Sequence, residues 1–315
     1  MKRIAAVVVL VVLILLAVWK FRYIGAGSEP AVSHSTASAS TGINSESSHP
    51  GNASPLLPNR VVSARSANYS TATNLKAYID SLKAEGAAEK DIQLANAKAL
   101  DECGMLSFRP NFIAENVKYL KHLAETGGAP DVRLVEKYAA AFSQRCSNFP
   151  ETRNQTALRE QYYAQAAIAG SVEAKARQLV RGETMDGLSS TKQPLAPDVM
   201  RSEVFQILGS GDAGAIFELS QMFGANSGFT GAAAGSFKTE AAWKLVACDM
   251  GLDCSENGPL LRQTCFQGFM FCSSGNLREN MRKSAFSPDD FQQIQILEEM
   301  IYKGLNTGNT SSLLN

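Results

Sequence analysis

From residue 71 onward the apolar positions recur with a helical period, and a glycine closes that period at a regular stride. The pattern reads Tyr78, Leu82, Gly86, then Tyr119, Leu123, Gly127, then Tyr162, Ala166, Gly170, then Glu203, Ile207, Gly211, then Trp243, Ala247, Gly251. Each glycine stands eight residues after a large side chain, aromatic in four of five copies, and four after an apolar one, which sets all three near one helical stripe. Successive glycines are 41, 43, 41 and 40 residues apart. No single helical hairpin buries its own apolar face, so this stride predicts an all-α fold: a helical-hairpin repeat array of the α-solenoid kind over 71–305.

The hairpins can be followed through their stripes. Leu75, Tyr78, Ile79 and Leu82 precede Gly86, and Ile92, Ala95, Ala99 and Cys103 follow it. Ile113, Val117, Leu120 and Ala124 precede Gly127, and Val132, Val135, Tyr138, Ala139, Phe142 and Cys146 follow. Leu158, Tyr162, Ala166 and Ala169 lead to Gly170, with Val172, Ala176, Leu179 and Val180 beyond. Ala166, Ala167, Ala169 and Ala174 around that glycine favour close backbone approach. Ser287-Pro288-Asp289-Asp290 is a helix start, and Phe291, Ile294, Leu297, Ile301 and Leu305 form a terminal stripe suited to capping the stack. Two irregular stretches interrupt the plan, 182–200 and 224–235; both are expected to be surface insertions, with Phe229 either tucked back or offered to a partner. Residues 306–315 are expected to be a disordered tail.

The segment Tyr163-Ala164-Gln165-Ala166-Ala167-Ile168-Ala169-Gly170-Ser171-Val172-Glu173-Ala174 resembles the Sel1-like repeat, a relative of the tetratricopeptide repeat. Gly211-Asp212-Ala213-Gly214-Ala215, with Leu219 beyond, resembles a second copy. Together the likeness covers about 100 residues, and it implies paired helices in a superhelix. The Trp243 to Cys272 stretch, with its Trp-x4-Cys-Asp-x-Gly-x-x-Cys run, resembles the C-terminal part of exported gammaproteobacterial proteins known only as uncharacterised, which implies a bacterial envelope location and no particular activity.

Ahead of the repeats lie two segments of another character. Ile4 to Trp19 is an unbroken run of sixteen apolar residues flanked by Lys2, Arg3, Lys20 and Arg22, so 1–24 reads as a transmembrane signal anchor. Cleavage near Gly25-Ala26-Gly27 is the alternative. Residues 25–70 hold twelve serines and four prolines without an apolar period, and predict a disordered tether. The expected location is therefore the bacterial inner membrane, single-pass through residues 4–19, with the domain in the periplasm; cleavage would release it there.

Charge and cysteine content sharpen this picture. The whole chain of 315 residues is formally neutral, but outside the first 24 residues 26 basic side chains face 30 acidic ones. That balance argues against nucleic acid as a partner. All six cysteines, Cys103, Cys146, Cys248, Cys254, Cys265 and Cys272, lie in the repeat region, which after an export signal reads as three disulfides. Cys103 and Cys146 fall 17 and 19 residues past Gly86 and Gly127, at equivalent places in neighbouring hairpins, and are expected to staple the first to the second. The other four, spaced C-x5-C-x10-C-x6-C, leave three pairings open. A zinc site made of them lacks the usual short gaps.

Reacting groups are few. His122 is the only histidine in the repeat region and sits among charges, as a solvated helix residue would; His34 and His49 lie in the tether. The sequence has neither a nucleophile elbow nor a phosphate loop of the Walker type. The carboxylate pairs Asp249 with Asp253 and Glu298 with Glu299 have the residue types for glycosidic cleavage, against a plainer role as solvated or helix-end charges. The expectation is a binding protein with no catalytic, cofactor or metal residues: a scaffold or adaptor for an envelope protein or peptide. A peptidoglycan-active enzyme using a carboxylate pair, or a periplasmic inhibitor of one, is the alternative.

Overall fold

The computed structural model describes residues 64–315 apart from 110, 128–129, 151–153, 185–196 and 269–271, and these belong to one compact unit, Leu56–Asn315. The described residues are helical, without strands. In chain order the helices are α1 Ala64–Thr71, α2 Leu75–Ala84, α3 Glu89–Phe108, α4 Phe112–Glu125, α5 Val132–Arg145, α6 Gln155–Ile168 and α7 Val172–Thr184. They continue as α8 Pro197–Gly209, α9 Ala213–Leu219, α10 Phe237–Asp249, α11 Pro259–Gly268, α12 Leu277–Asn280, α13 Pro288–Asn306 and α14 Ser311–Leu314. The expected membrane anchor at 1–24, His34, His49 and most of the expected tether at 25–70 lie outside the described residues; among those described, no helix is long and apolar enough to cross a bilayer.

The five glycines of the repeating pattern close α2, α4, α6, α8 and α10, all with positive φ between +66° and +104°. A side chain is strained in that backbone state, so glycine is the residue that lets the chain turn there. After Gly86, Gly170 and Gly251 the next residue donates back to the carbonyl of Leu82, Ala166 or Ala247 at 2.9, 2.9 and 3.0 Å. The apolar residue four before the glycine thus accepts the closing hydrogen bond while its side chain is buried.

The aromatic column eight residues before the glycines is not a structural column. Tyr119 is 46% exposed, Glu203 is exposed and Tyr78 and Tyr162 are half-buried, whereas Trp243 is fully buried. In the first four copies the buried position is one residue later: Ile79, Leu120, Tyr163 and Val204. A three-residue step back from the −4 position keeps closer to the centre of the buried face, and the −8 position falls on its flank, where rings lie half in solvent.

Consecutive helices pair as α2 with α3, α4 with α5, α6 with α7 and α8 with α9, but the pairs do not simply stack in series. The most extensive contact joins α3 of the first pair to α6 of the third, where Ala97, Ala166, Ala167 and Ala174 surround Tyr163 in a small-residue core; Ala169 is exposed. The second pair is instead held by α11: Asn116 Nδ2 donates to the Phe266 carbonyl at 2.8 Å, and the Phe142 and Phe266 rings stack at 5.9 Å. The fifth glycine-closed helix, α10, packs chiefly on α13, whose start is capped by Ser287 with Pro288 in the first position.

Three disulfides are present. Cys103–Cys146 joins α3 to the end of α5 as expected; Cys248–Cys254 and Cys265–Cys272 resolve the open pairings into two short loops.

Two segments depart from expectation, and a third takes one of its two alternatives. In the surface stretch at 224–235 Phe229 is tucked back, buried edge-on to Phe223 at 5.4 Å, and Trp243 Nε1 donates to the Ala233 carbonyl at 2.8 Å. Residues 306–315 are ordered around α14, because Leu313 and Leu314 are buried and Ala233 N donates to the Leu313 carbonyl at 3.0 Å. A Cβ on Gly231 would overlap that same carbonyl, so only glycine allows the loop to lie over the chain terminus. Residues 64–70, counted with the tether, form most of α1, whose polar composition masks its helical period and whose docking comes from distant side chains.

Candidate binding cleft

A cleft of about 630 Å³ opens between α3, α6, α7 and α9 on one side and residues 251–264 on the other, with the end of α1 at its edge. Tyr69, Tyr163, Phe217, Leu252 and Leu260 supply rings and apolar surface, and most other lining groups are charged or polar.

Helical spacing places the charges. Lys98, Asp101 and Glu102 share a face of α3, Glu173 and Arg177 stand one turn apart on α7, and Gly214 and Glu218 do so on α9. Glu173 lies directly over Gly214, where any Cβ would collide with its carboxylate. Lys98 meets Glu173 at 2.8 Å and Arg177 meets Glu218 at 2.8 Å. Asp101 accepts from Tyr163 Oη at 2.5 Å and pairs with Arg159 at 3.0 Å. These contacts tie three helix pairs together and fix the rotamers that face the cleft.

Beneath them lies a buried ion pair. Glu102 and Arg145 side chains are each 4% exposed and joined by two hydrogen bonds, 2.7 Å from Nε and 3.0 Å from Nη2. Arg145 Nη1 donates to the carbonyls of Tyr69 and Ser70, at 3.3 and 3.2 Å, and to that of Ala72, so one guanidinium satisfies the open end of α1. Tyr69 lies under both Arg145 and Lys98, 5.5 and 5.4 Å from its ring centre, and gives its hydroxyl to Glu102 at 3.4 Å.

The local electrostatics are shaped by carboxylates. Burial opposes the charge on Lys98, yet Glu173, with Glu218 and Asp212 beyond, outweighs it and holds its pKa above the usual lysine value. Burial likewise opposes Arg177, and Glu218 and Asp101 outweigh it. Burial pushes Tyr163 well above the usual phenol range, helped by Asp101 and Glu218, and raises Glu218 despite Arg177. On the other side of the same cluster, burial and then Arg145 lower Arg262.

The sequence candidates fall elsewhere, with one exception. Asp253 lines the cleft and accepts from Ser255 N and Oγ at 3.1 and 2.7 Å. Its expected partner Asp249 turns away: Arg278 Nη2 reaches Asp249 at 2.8 Å while the same guanidinium grips buried Glu298 at 2.5 and 2.6 Å. The structure therefore pairs Asp249 with Glu298 rather than either with its sequence neighbour, and Glu299 is exposed. His122 is exposed in the last turn of α4. Among the described residues no group of three His, Cys, Asp or Glu is arranged to hold a metal ion.

The cleft residues were missed because their charges read as ordinary helix-surface charges. One signal was present: Glu102 precedes Cys103 and Arg145 precedes Cys146, and a charge one step from a buried staple in each of two helices is placed to meet its opposite. Comparison with protein-family models, curated proteins and solved structures finds no match to this chain.

Proposed function

We propose that the chain is a membrane-tethered periplasmic helical-repeat protein that holds an envelope protein or peptide in the cleft beside Tyr69, Tyr163 and Phe217. The observation that carries this is the preorganised lining: ion pairs from three helix pairs lock side chains around a hollow with rings and apolar groups on its walls, so a ligand meets a surface already ordered. Its size lies within the range of about 300–1,000 Å³ common for concave ligand sites. Six cysteines joined in three disulfides support an oxidising compartment, and the Ile4–Trp19 run supplies the tether to the inner membrane. In this reading the glycine-closed helix pairs are repeats of one unit whose later members have been rearranged around the cleft.

Site-specific photo-crosslinking in the native envelope tests it. A photoreactive residue at Gln263, in the lining, should capture a defined partner that one at Ile296, exposed on α13, does not. Equal capture from both positions, or none from either, would end the scaffold reading.

The Asp249–Glu298 pair favours a second reading, a carboxylate-dependent hydrolase. Burial raises Glu298 to about 7, with Asp249 adding to the rise, a value suited to a general acid. Against it, both carboxylates are engaged by Arg278, and Glu298 is buried against α12. Loss of cell-wall hydrolysis by purified protein on Glu298→Gln would establish this reading in place of the scaffold.

A further inference from the structure

The cleft is unevenly charged. Asp101, Glu102, Glu173, Glu218 and Asp253 face it, and within the lining only Lys98 and Arg177 oppose them. Three guanidiniums that balance these carboxylates, Arg145, Arg159 and Arg262, stand outside the lining. Within the lining itself, carboxylates outnumber cations five to two. The raised pKa values of Lys98 and Arg177 report the same negative field from within.

Asp253 is the lining carboxylate with capacity left. Glu102, Glu173, Glu218 and Asp101 each pair with a cation of the fold, whereas Asp253 makes no ion pair among the described residues: Oδ1 accepts from Ser255, and buried Arg262 acts on it only at longer range. Leu252 precedes it in the same wall, and Leu260 and Phe217 also line the cleft. A cation beside apolar surface is the combination that a Lys- or Arg-bearing peptide presents, because its long side chain and its neighbour need different surroundings.

We infer that the cleft takes a cationic peptide segment, its lysine or arginine side chain paired with Asp253 and an adjacent apolar side chain on Leu252, Leu260 and Phe217. This rests on the scaffold reading and names its ligand class. Nucleic acid is repelled by the same carboxylates.

The test is fluorescence anisotropy on the full chain in detergent, with labelled Gly-Lys-Leu-Lys-Gly and Gly-Glu-Leu-Glu-Gly peptides and with spermine as competitor. The lysine peptide should bind, more weakly as salt rises, and the glutamate peptide should not. Asp253→Asn keeps the acceptor for Ser255 and should weaken binding about tenfold. Phe217→Ala should also weaken it, and Glu299→Gln on the exposed face of α13 should leave it unchanged. Equal binding of both peptides, or insensitivity to Asp253→Asn, would overturn the inference. Spermine binding that depends on Asp253 but not on Phe217 would reassign the site to a free polyamine and overturn the peptide. If the lysine peptide fails while Gln263 still captures a partner, the ligand class falls and the scaffold stands; if both fail, both fall.

Discussion

Two ionic clusters in this molecule solve the problem of buried charge in opposite ways. Around Glu102 one carboxylate faces two guanidiniums, Arg145 at 2.7 Å and Arg262 at 3.9 Å, whereas around Arg278 one guanidinium faces two carboxylates, Asp249 and Glu298. Arginine does not discharge at any ordinary pH, so the first cluster keeps its charge: Arg145 places its excess donors on the carbonyls of Tyr69, Ser70 and Ala72, and Arg262 Nη1 donates to the Asn257 carbonyl while its Nε and Nη2 stay buried without a hydrogen bond. A carboxylate does discharge, so the second cluster relieves its excess by taking up a proton. The first is therefore a fixed fastening that docks α1 at the edge of the cleft, and the second is sensitive to pH.

The comparison can be broken most forcefully at the fixed cluster. Glu102→Ala leaves buried Arg145 uncompensated and should cost about 3–5 kcal/mol in urea unfolding, with α1 freed to exchange its amide protons. A loss below about 1 kcal/mol would mean that the pair is not buried as described. Next in size, replacing Cys103 and Cys146 together by serine removes a staple that closes a separation of 43 residues and should cost roughly 2–4 kcal/mol, lowering the urea midpoint.

The pH-sensitive cluster comes third. Burial holds the folded-state pKa of Glu298 near 7, above the value of about 4.3 for an unfolded glutamate, so the folded chain binds this proton more tightly. The resulting stability is fully present below about pH 4 and is lost as pH rises through about 7, up to roughly 3–4 kcal/mol. Glu298→Gln should flatten that slope between pH 4.5 and 7.5, and an unchanged slope would assign it to other groups. The smallest effect sharpens the helix closures. A Cβ on Gly170 would meet nothing within 4 Å, so Gly170→Ala should lose only about 1–2 kcal/mol, all from its φ of +96°.

Much of the fold could be read from the chain before any coordinates. The glycine stride located five helix ends, and Cys103 with Cys146 could be paired by their equivalent places. Ser287 and Pro288 marked the start of α13 because capping is a local matter of a few atoms. The cleft was not legible to the same degree. Its walls come from positions as far apart as Tyr69 and Thr264, and whether Lys98 points at Glu173 or at water depends on which helices lie beside α3. The pairing of Asp249 with Glu298 was hidden for the same reason: Arg278, which brings them together, belongs to a third helix.

What the sequence determined alone is whatever a few neighbouring residues decide: helical character, the places where helices stop, and the burial phase to within one residue. Tertiary structure decided which helices meet: α7 on α9 and α9 on α10 follow serial order, but α3 on α6 and α5 on α11 depart from it, and with them which charges are buried together. The physical reason is range. Backbone dihedrals and caps act over a single turn, while packing of alanine-lined faces and pairing of ions select among distant surfaces that look alike from within their own segments.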